Sequence, residues 1–150
     1  MVRVRAFEQG DLSILANPQP SQLEDAARVS RSKALSEIQR GPAWTIEADG
    51  DPVVIGGFKL APYNTAIVWA LVRDGVPRMA KSVALRHCLD MIGMARVMGI
   101  EKLVGFCTAH DESGRDFLAR LRFTKDPALA VLPDGVKAEM WVRDCNAIYS

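Results

Sequence analysis

Net charge is nearly absent from this chain: nineteen Lys and Arg against eighteen Asp and Glu leave +1 over 150 residues. That excludes a globally basic, nucleic-acid-coating protein, although it does not exclude a local basic patch. Cysteine is scarce, with Cys88, Cys107 and Cys145 odd in number and far apart. No CxxC pair occurs and only two histidines are present, so a closed zinc site is not expected, and no metal is assigned. The spacing fits reduced thiols in a reducing compartment. Long apolar runs are missing too. The opening MVRVRAFEQGD is too polar for a signal sequence, and no segment approaches the length of a membrane span. A cytoplasmic protein without membrane or specific nucleic-acid partners is expected. There is no internal repeat and no low-complexity linker. The chain therefore reads as one domain over 1–150, and 49% hydrophobic with 25% charged residues is ordinary for a folded globular protein.

What is present is an ordered series of elements. VRVRAF (2–7) alternates apolar and basic residues, the pattern of a half-buried strand. Ser21 and Glu24 have capping-box spacing and open a predicted helix to about residue 40, where Gly41-Pro42 stops it. AWTIEA (43–48) and VVIGGFKL (53–60) read as strands joined by a turn at Asp49-Gly50. The Gly56-Gly57 pair suggests a bulge or a close backbone approach. TAIVWALV (65–72) is apolar on both faces, as in a buried central strand.

A helix from about 78 to 98 would put Ala84, Leu85, Cys88, Leu89, Met91, Ile92, Ala95 and Met98 inward, with Gly99 as its stop. KLVGFCTA (102–109) is a second buried strand. A short helix over about 114–122, turn signals at Pro127, Pro133 and Asp134-Gly135, and a last strand KAEMWV (137–142) complete the order. The class is α/β or α+β: a mixed sheet, antiparallel in front, flanked by helices, with one parallel β-α-β crossover over 65–109.

The order β-α-β-β-β-α-β-α-β resembles the GNAT superfamily of N-acetyltransferases, and two segments carry the likeness. Met79-Ala80-Lys81-Ser82-Val83-Ala84 is similar to the Q/R-x-x-G-x-G/A turn between that family's fourth strand and long helix. Ser82 stands for the first glycine, Ala84 fills the second small position, and Met79 takes the Q/R place beside Arg78. DESGRDFLARLRF (111–123) resembles N-x-x-A-x(3)-Y-x-x-x-G-F, with Asp111 for Asn, Leu118 for Tyr and Arg122 for Gly. IVWALV and the altered turn look most like small GNAT-like proteins of tailed phages, which would place the protein in a host cytoplasm.

The resemblance implies transfer of an acetyl group from acetyl-CoA to a protein lysine or a small-molecule amine, by direct attack and without a metal. It implies that backbone at Leu71 and Val72 faces the pantetheine arm. The stretch Arg78, Met79, Ala80, Lys81, Ser82, Val83 and Ala84 would hold the pyrophosphate, with Asp111 nearby. The first amides of any helix lack partners and favour anions, and Arg78 and Lys81 add positive charge. The opposing reading is an ordinary solvated first turn.

Three residues are candidates for proton transfer. His110, at the end of the fifth strand, would titrate near neutrality, or is a surface histidine. Glu47 could act as a base through water, or point to solvent. Ser113 could donate a proton, or cap the helix from 114 with Asp116 completing the box. Tyr63, in APYNTA, is placed either against an acceptor or in local packing. Cys88 and Cys107 fall on apolar elements and read as inert thiols. Leu118 cannot supply the proton that the family's tyrosine gives to a departing thiolate. This keeps open a second class, a non-catalytic interaction protein that binds a host or virion protein. A homodimer is compatible with either.

Overall fold

A computed structural model describes residues 1–16, 36, 41–109, 111–131 and 137–146. Apart from Ser36, the expected helix between 21 and 40 lies outside the described residues, as do His110 and the turn at Pro133 and Asp134-Gly135. The elements are β1 (Val2–Ala6), a 3-10 helix (Gln9–Ala16), β2 (Ala43–Ala48), β3 (Asp51–Ala61), β4 (Thr65–Val72), α1 (Arg78–Val97), β5 (Lys102–Cys107), α2 (Glu112–Arg120), β6 (Thr124–Val131) and β7 (Lys137–Asp144). The strands form one sheet in the order β1-β2-β3-β4-β5-β7-β6. Only β4 and β5 are parallel; every other neighbouring pair is antiparallel. The fold is thus the mixed, mostly antiparallel α/β sheet with one parallel crossover that the element order implies.

Strand alternation sorts the core into two faces. Trp44, Ile46, Val54, Phe58, Val68 and Val72 lie on the face covered by α1 and α2. Ile55, Trp69 and Leu71 point the other way, against Leu12 and Ile14 of the 3-10 helix. α1 buries Ala80, Ala84, Ile92 and Ala95. Three of these four are alanines, which let the helix axis approach the sheet closely. Burying Ile92 contributes about 1.5–3 kcal/mol, and a charged residue at Ala84 would break this contact. Leu89 and Met98, expected inward, are instead 43% and 58% exposed. An eight-residue inward face is wider than the strip a flat sheet can cover.

Both helices end on the same device. In α1, Gly99 at φ +90° donates to the Arg96 carbonyl and Ile100 donates to that of Ala95. This double bond pattern is a Schellman stop, with buried Ile100 packing where the motif wants an apolar residue. In α2 the matching bonds run from Arg122 to Ala119 and from Phe123 to Leu118. Here the left-handed position belongs to Arg122, at φ +67°. This is the residue that stands where the resembling motif has glycine, and the backbone keeps the glycine-type conformation.

Several sequence expectations shift. The Gly56-Gly57 pair is no bulge, because both residues pair regularly with β2 and β4. Close approach is the correct alternative. A Cβ on Gly57 would lie 2.5 Å from the Trp69 ring and 2.6 Å from the Pro42 carbonyl oxygen, and one on Gly56 would lie 2.9 Å from the Trp44 ring. The register shift occurs instead between Ile46 and Glu47. The strand β6 was not anticipated, because Pro127 reads as a turn signal. Proline is tolerated here because β6 is an edge strand whose pairing with β7 skips between Lys125 and Leu129. α2 begins at Glu112, and its cap is Asp111, whose carboxylate accepts from the Gly114 amide at 3.0 Å. Ser113 is therefore inside the first turn and is not the cap, so the expected box with Asp116 does not form.

Candidate functional site

The parallel ladder joins Thr65–Val68 to Lys102–Gly105 and stops there. Past Val68 and Gly105, β4 and β5 are no longer paired with each other. Val68 and Leu118 lie close over Gly105 at this point, where an added Cβ would meet them at 3.2 and 3.0 Å. The gap opens into a cavity of about 610 Å³. Trp69, from the opposite face of the sheet, also lines it, because the sheet is no longer closed at that level.

At the mouth of this cavity stands the N-terminus of α1. Pro77, its cap residue, has φ −62° and ψ 146° and no side-chain hydrogen bond to the helix. The Lys81 amide reaches the Pro77 carbonyl at 3.2 Å. The amides of Arg78, Met79 and Ala80 thus precede the first intrahelical bond, the situation that favours an anion. Arg78, Lys81 and Ser82 line the cavity, and all three side chains are exposed. Among the described residues neither cation is in an ion pair.

The expected coenzyme-binding residues therefore divide. Val72, Arg78, Lys81, Ser82, Ala84 and Asp111 meet around the cavity. Met79 points to solvent at 67% exposure, Ala80 is fully buried in the core, and Val83 packs against that core. Leu71 faces the 3-10 helix on the opposite side. The reason is helical and strand periodicity: only some positions of a contiguous stretch can face one space.

The candidate proton carriers divide as well. Ser113 lines the cavity. Glu47 does not: its carboxylate is clamped by the Arg3 Nε at 2.7 Å and the Arg5 Nε at 2.7 Å. Arg5 also holds Asp11 in a fork at 2.9 and 2.7 Å, and the Thr45 hydroxyl donates to Asp11 at 2.7 Å. Hydrogen bonding from Arg5, with Arg3 assisting against some burial, holds the Glu47 carboxyl below its ordinary range. Burial works against the Asp11 charge, but Arg5, the Glu8 amide and Thr45 together still lower its pKa. The Asp11 bonds to Arg5 and Thr45 anchor the 3-10 helix to β1 and β2, and Glu47, buried and paired with both arginines, does not point to solvent. Tyr63 is also removed from the cavity. It lies in the turn before β4, 94% exposed, while the cavity mouth is at the other end of that strand, roughly 20 Å away.

Sequence reading overlooked Trp44, Phe58, Phe117 and Arg120, all of which line the cavity. Trp44 and Phe58 are signalled only by strand alternation, which says inward but not into an open space. His87 was also overlooked. Its ring meets Trp44 edge to face at 4.9 Å, and burial lowers its pKa. It does not line the cavity. The three cysteines are free. Burial pushes the Cys88 thiol up to about 12 and, with Glu139 and Asp111 nearby, that of Cys107 up to about 11. Neither is a ready nucleophile.

A divergence of two parallel central strands facing an uncapped helix start is the decisive geometry, and solved structures share the fold that carries it over nearly their whole length. An acetyltransferase of the GNAT family from Staphylococcus aureus Mu50 superimposes with a TM-score of 0.71 at 11% identity, covering 97% of this chain and 100% of the other. This chain has the GNAT fold. The ribosomal-protein-S18-alanine N-acetyltransferase from Escherichia coli is similar at TM-score 0.69 and 16% identity, over 99% of this chain and 97% of the other. An aminoglycoside acetyltransferase in complex with coenzyme A aligns at TM-score 0.68 and 11% identity, over 96% and 95%. No protein-family model matches the sequence, and no curated protein matches it significantly. Leu118 is 8% exposed and forms cavity wall over Gly105. No helix among the described residues is long and apolar enough to cross a membrane.

Proposed function

We propose that this GNAT-fold protein is an acyl-CoA-dependent N-acetyltransferase that acylates an amine by direct attack. The observation that carries the reading is the end of the β4–β5 ladder at Val68 and Gly105, opening toward the uncapped start of α1. The thioester of bound acetyl-CoA would supply the activated acyl group. The amides of Arg78, Met79 and Ala80, with the side chains of Arg78, Lys81 and Ser82, would hold the pyrophosphate. The β4 backbone around Leu71 and Val72 would run beside the pantetheine arm, and an amide of this stretch would polarise the thioester carbonyl. Asp111, at the facing helix start, orders that wall by capping α2.

Proton transfer would fall to Ser113 and to His110; the paired Glu47 is not part of the reading. No thiol serves as an acyl carrier, since buried thiols with raised pKa values are poor nucleophiles. The acceptor is a protein lysine or a small-molecule amine, and the reaction takes place in the cytoplasm. Purified protein titrated with acetyl-CoA, then incubated with a panel of amines, tests the proposal. Binding and amine-dependent release of free coenzyme A are expected; absence of coenzyme binding overturns it.

Leu118 supports a second reading. A hydrocarbon wall offers no proton to a departing thiolate, which suits a GNAT-fold protein that binds a host or virion protein without turnover. Coenzyme binding with no acyl transfer to any amine would favour it.

A further inference from the structure

The cavity is polar only on one side. Its charged lining residues, Arg78, Lys81, Asp111, Asp116 and Arg120, belong to the first turn of α1 and to the α2 segment. The part between α1 and β2–β4 is bounded by Trp44, Val54, Phe58, Leu85, Cys88 and Ile92. None of these six carries a charge, and four of them, Trp44, Val54, Phe58 and Ile92, belong to the buried core. Protein interiors are normally packed to crystal density, so open space with apolar walls is unusual. Such space stays dry and takes up apolar ligands. Pockets of this size generally enclose a small molecule whose polar end meets a few placed groups.

We propose that this inner compartment receives an unbranched aliphatic acyl chain longer than acetyl, so that the preferred donor is a medium-chain acyl-CoA. This rests on the coenzyme reading of the polar end and extends it to the identity of the acyl group. The chain enters between β4 and β5 and runs under α1 toward Trp44 and Phe58. Cys88 and Ile92, one helical turn apart on α1, set the depth.

The test is calorimetry on the full chain with coenzyme A and its acetyl, butanoyl, hexanoyl and octanoyl thioesters. Affinity should rise about fourfold for each buried methylene, which is the fold-change of about 0.8 kcal/mol, until the compartment is full. The binding heat capacity should become more negative along the series. In Cys88→Phe the ratio of octanoyl-CoA to coenzyme A affinity should collapse toward one. In Ile92→Ala the preference should move to longer chains. Circular dichroism and melting temperature establish that each variant is folded; if Cys88→Phe does not fold, the parent series and Ile92→Ala decide. Binding of coenzyme A and acetyl-CoA without any gain from longer chains overturns the acyl compartment and leaves the coenzyme reading standing. No binding of coenzyme A at all overturns both. A chain-length gain seen only with alkylamines added to the coenzyme A complex would assign the compartment to the acceptor and overturn the proposal.

Discussion

Removing both cations at the start of α1, as Arg78→Ala with Lys81→Ala, separates a phosphate site from a merely solvated turn. Neither side chain takes part in an ion pair among the described residues, and both are exposed. Their loss should therefore change folding stability by less than about 0.5 kcal/mol. A charge-assisted bond to phosphate is worth about 1.5–3 kcal/mol when shielded from water. For exposed groups solvent reduces this to about 0.5–1.5 kcal/mol each. The pair should then weaken coenzyme A binding by about 1–3 kcal/mol, or roughly 5- to 150-fold. Binding should not vanish, because the amides of Arg78, Met79 and Ala80 survive the substitution and keep the helix terminus attractive. Titration calorimetry at two ionic strengths gives a second reading. The parent protein should lose affinity with added salt, and the variant should lose distinctly less, because surface charges are screened over about 10 Å at 0.1 M. Unchanged affinity and unchanged salt dependence would remove this turn from the site.

Leu118→Tyr places a phenol at the cavity wall over Gly105. Where Leu118 takes the place of a proton donor, turnover should rise by about 10²–10⁴-fold; a loss of about 1–3 kcal/mol in stability with no gain in rate marks pure overpacking. Arg122→Gly should raise stability by about 0.5–1 kcal/mol, measured by urea unfolding, because φ +67° strains any side chain with a Cβ; a loss of stability would refute the cost assigned to that turn. Asp11→Asn should cost about 3 kcal/mol by leaving Arg5 half paired. The folded pKa values of Asp11 and Glu47 lie below their unfolded values. Their contribution is thus complete above the ordinary carboxylate range and fades as pH falls below about 4. Chemical denaturation across that range should show a flatter acid slope in Asp11→Asn than in the parent, and equal slopes would count against the network.

Much of the fold was legible in local pattern. β4 and β5 are central strands whose apolar continuity is visible in TAIVWALV and KLVGFC alone, although β4 is mostly half-buried, with Ala70 exposed past the end of the ladder. α1 shows its start at Pro77 and its end at Gly99, since caps act over a few residues. β6 escaped because Pro127 forbids a central strand but is harmless at an edge, and only the sheet order reveals which strand is the edge. Likewise the chain 111–123 announces a helix, but whether Asp111 or Ser113 caps it depends on which side chain reaches the Gly114 amide.

The site was legible as a neighbourhood and not as a surface. Residues 78–84 were marked by charge and small size, yet helical rotation buries Ala80, exposes Met79, and leaves Arg78, Lys81, Ser82 and Ala84 on the cavity. Glu47 looked free because its partners Arg3 and Arg5 lie more than forty residues away in sequence and meet it only through the β1–β2 register. By itself the sequence determined β1 to β5, β7, both described helices and the charge at the start of α1, because propensity, capping and periodicity are local. Only the tertiary structure decided where β4 and β5 part, that Leu118 and Val68 crowd Gly105 at that point, and that an apolar space runs from there beneath α1. Those features arise from packing between segments far apart in the chain, which no local pattern encodes.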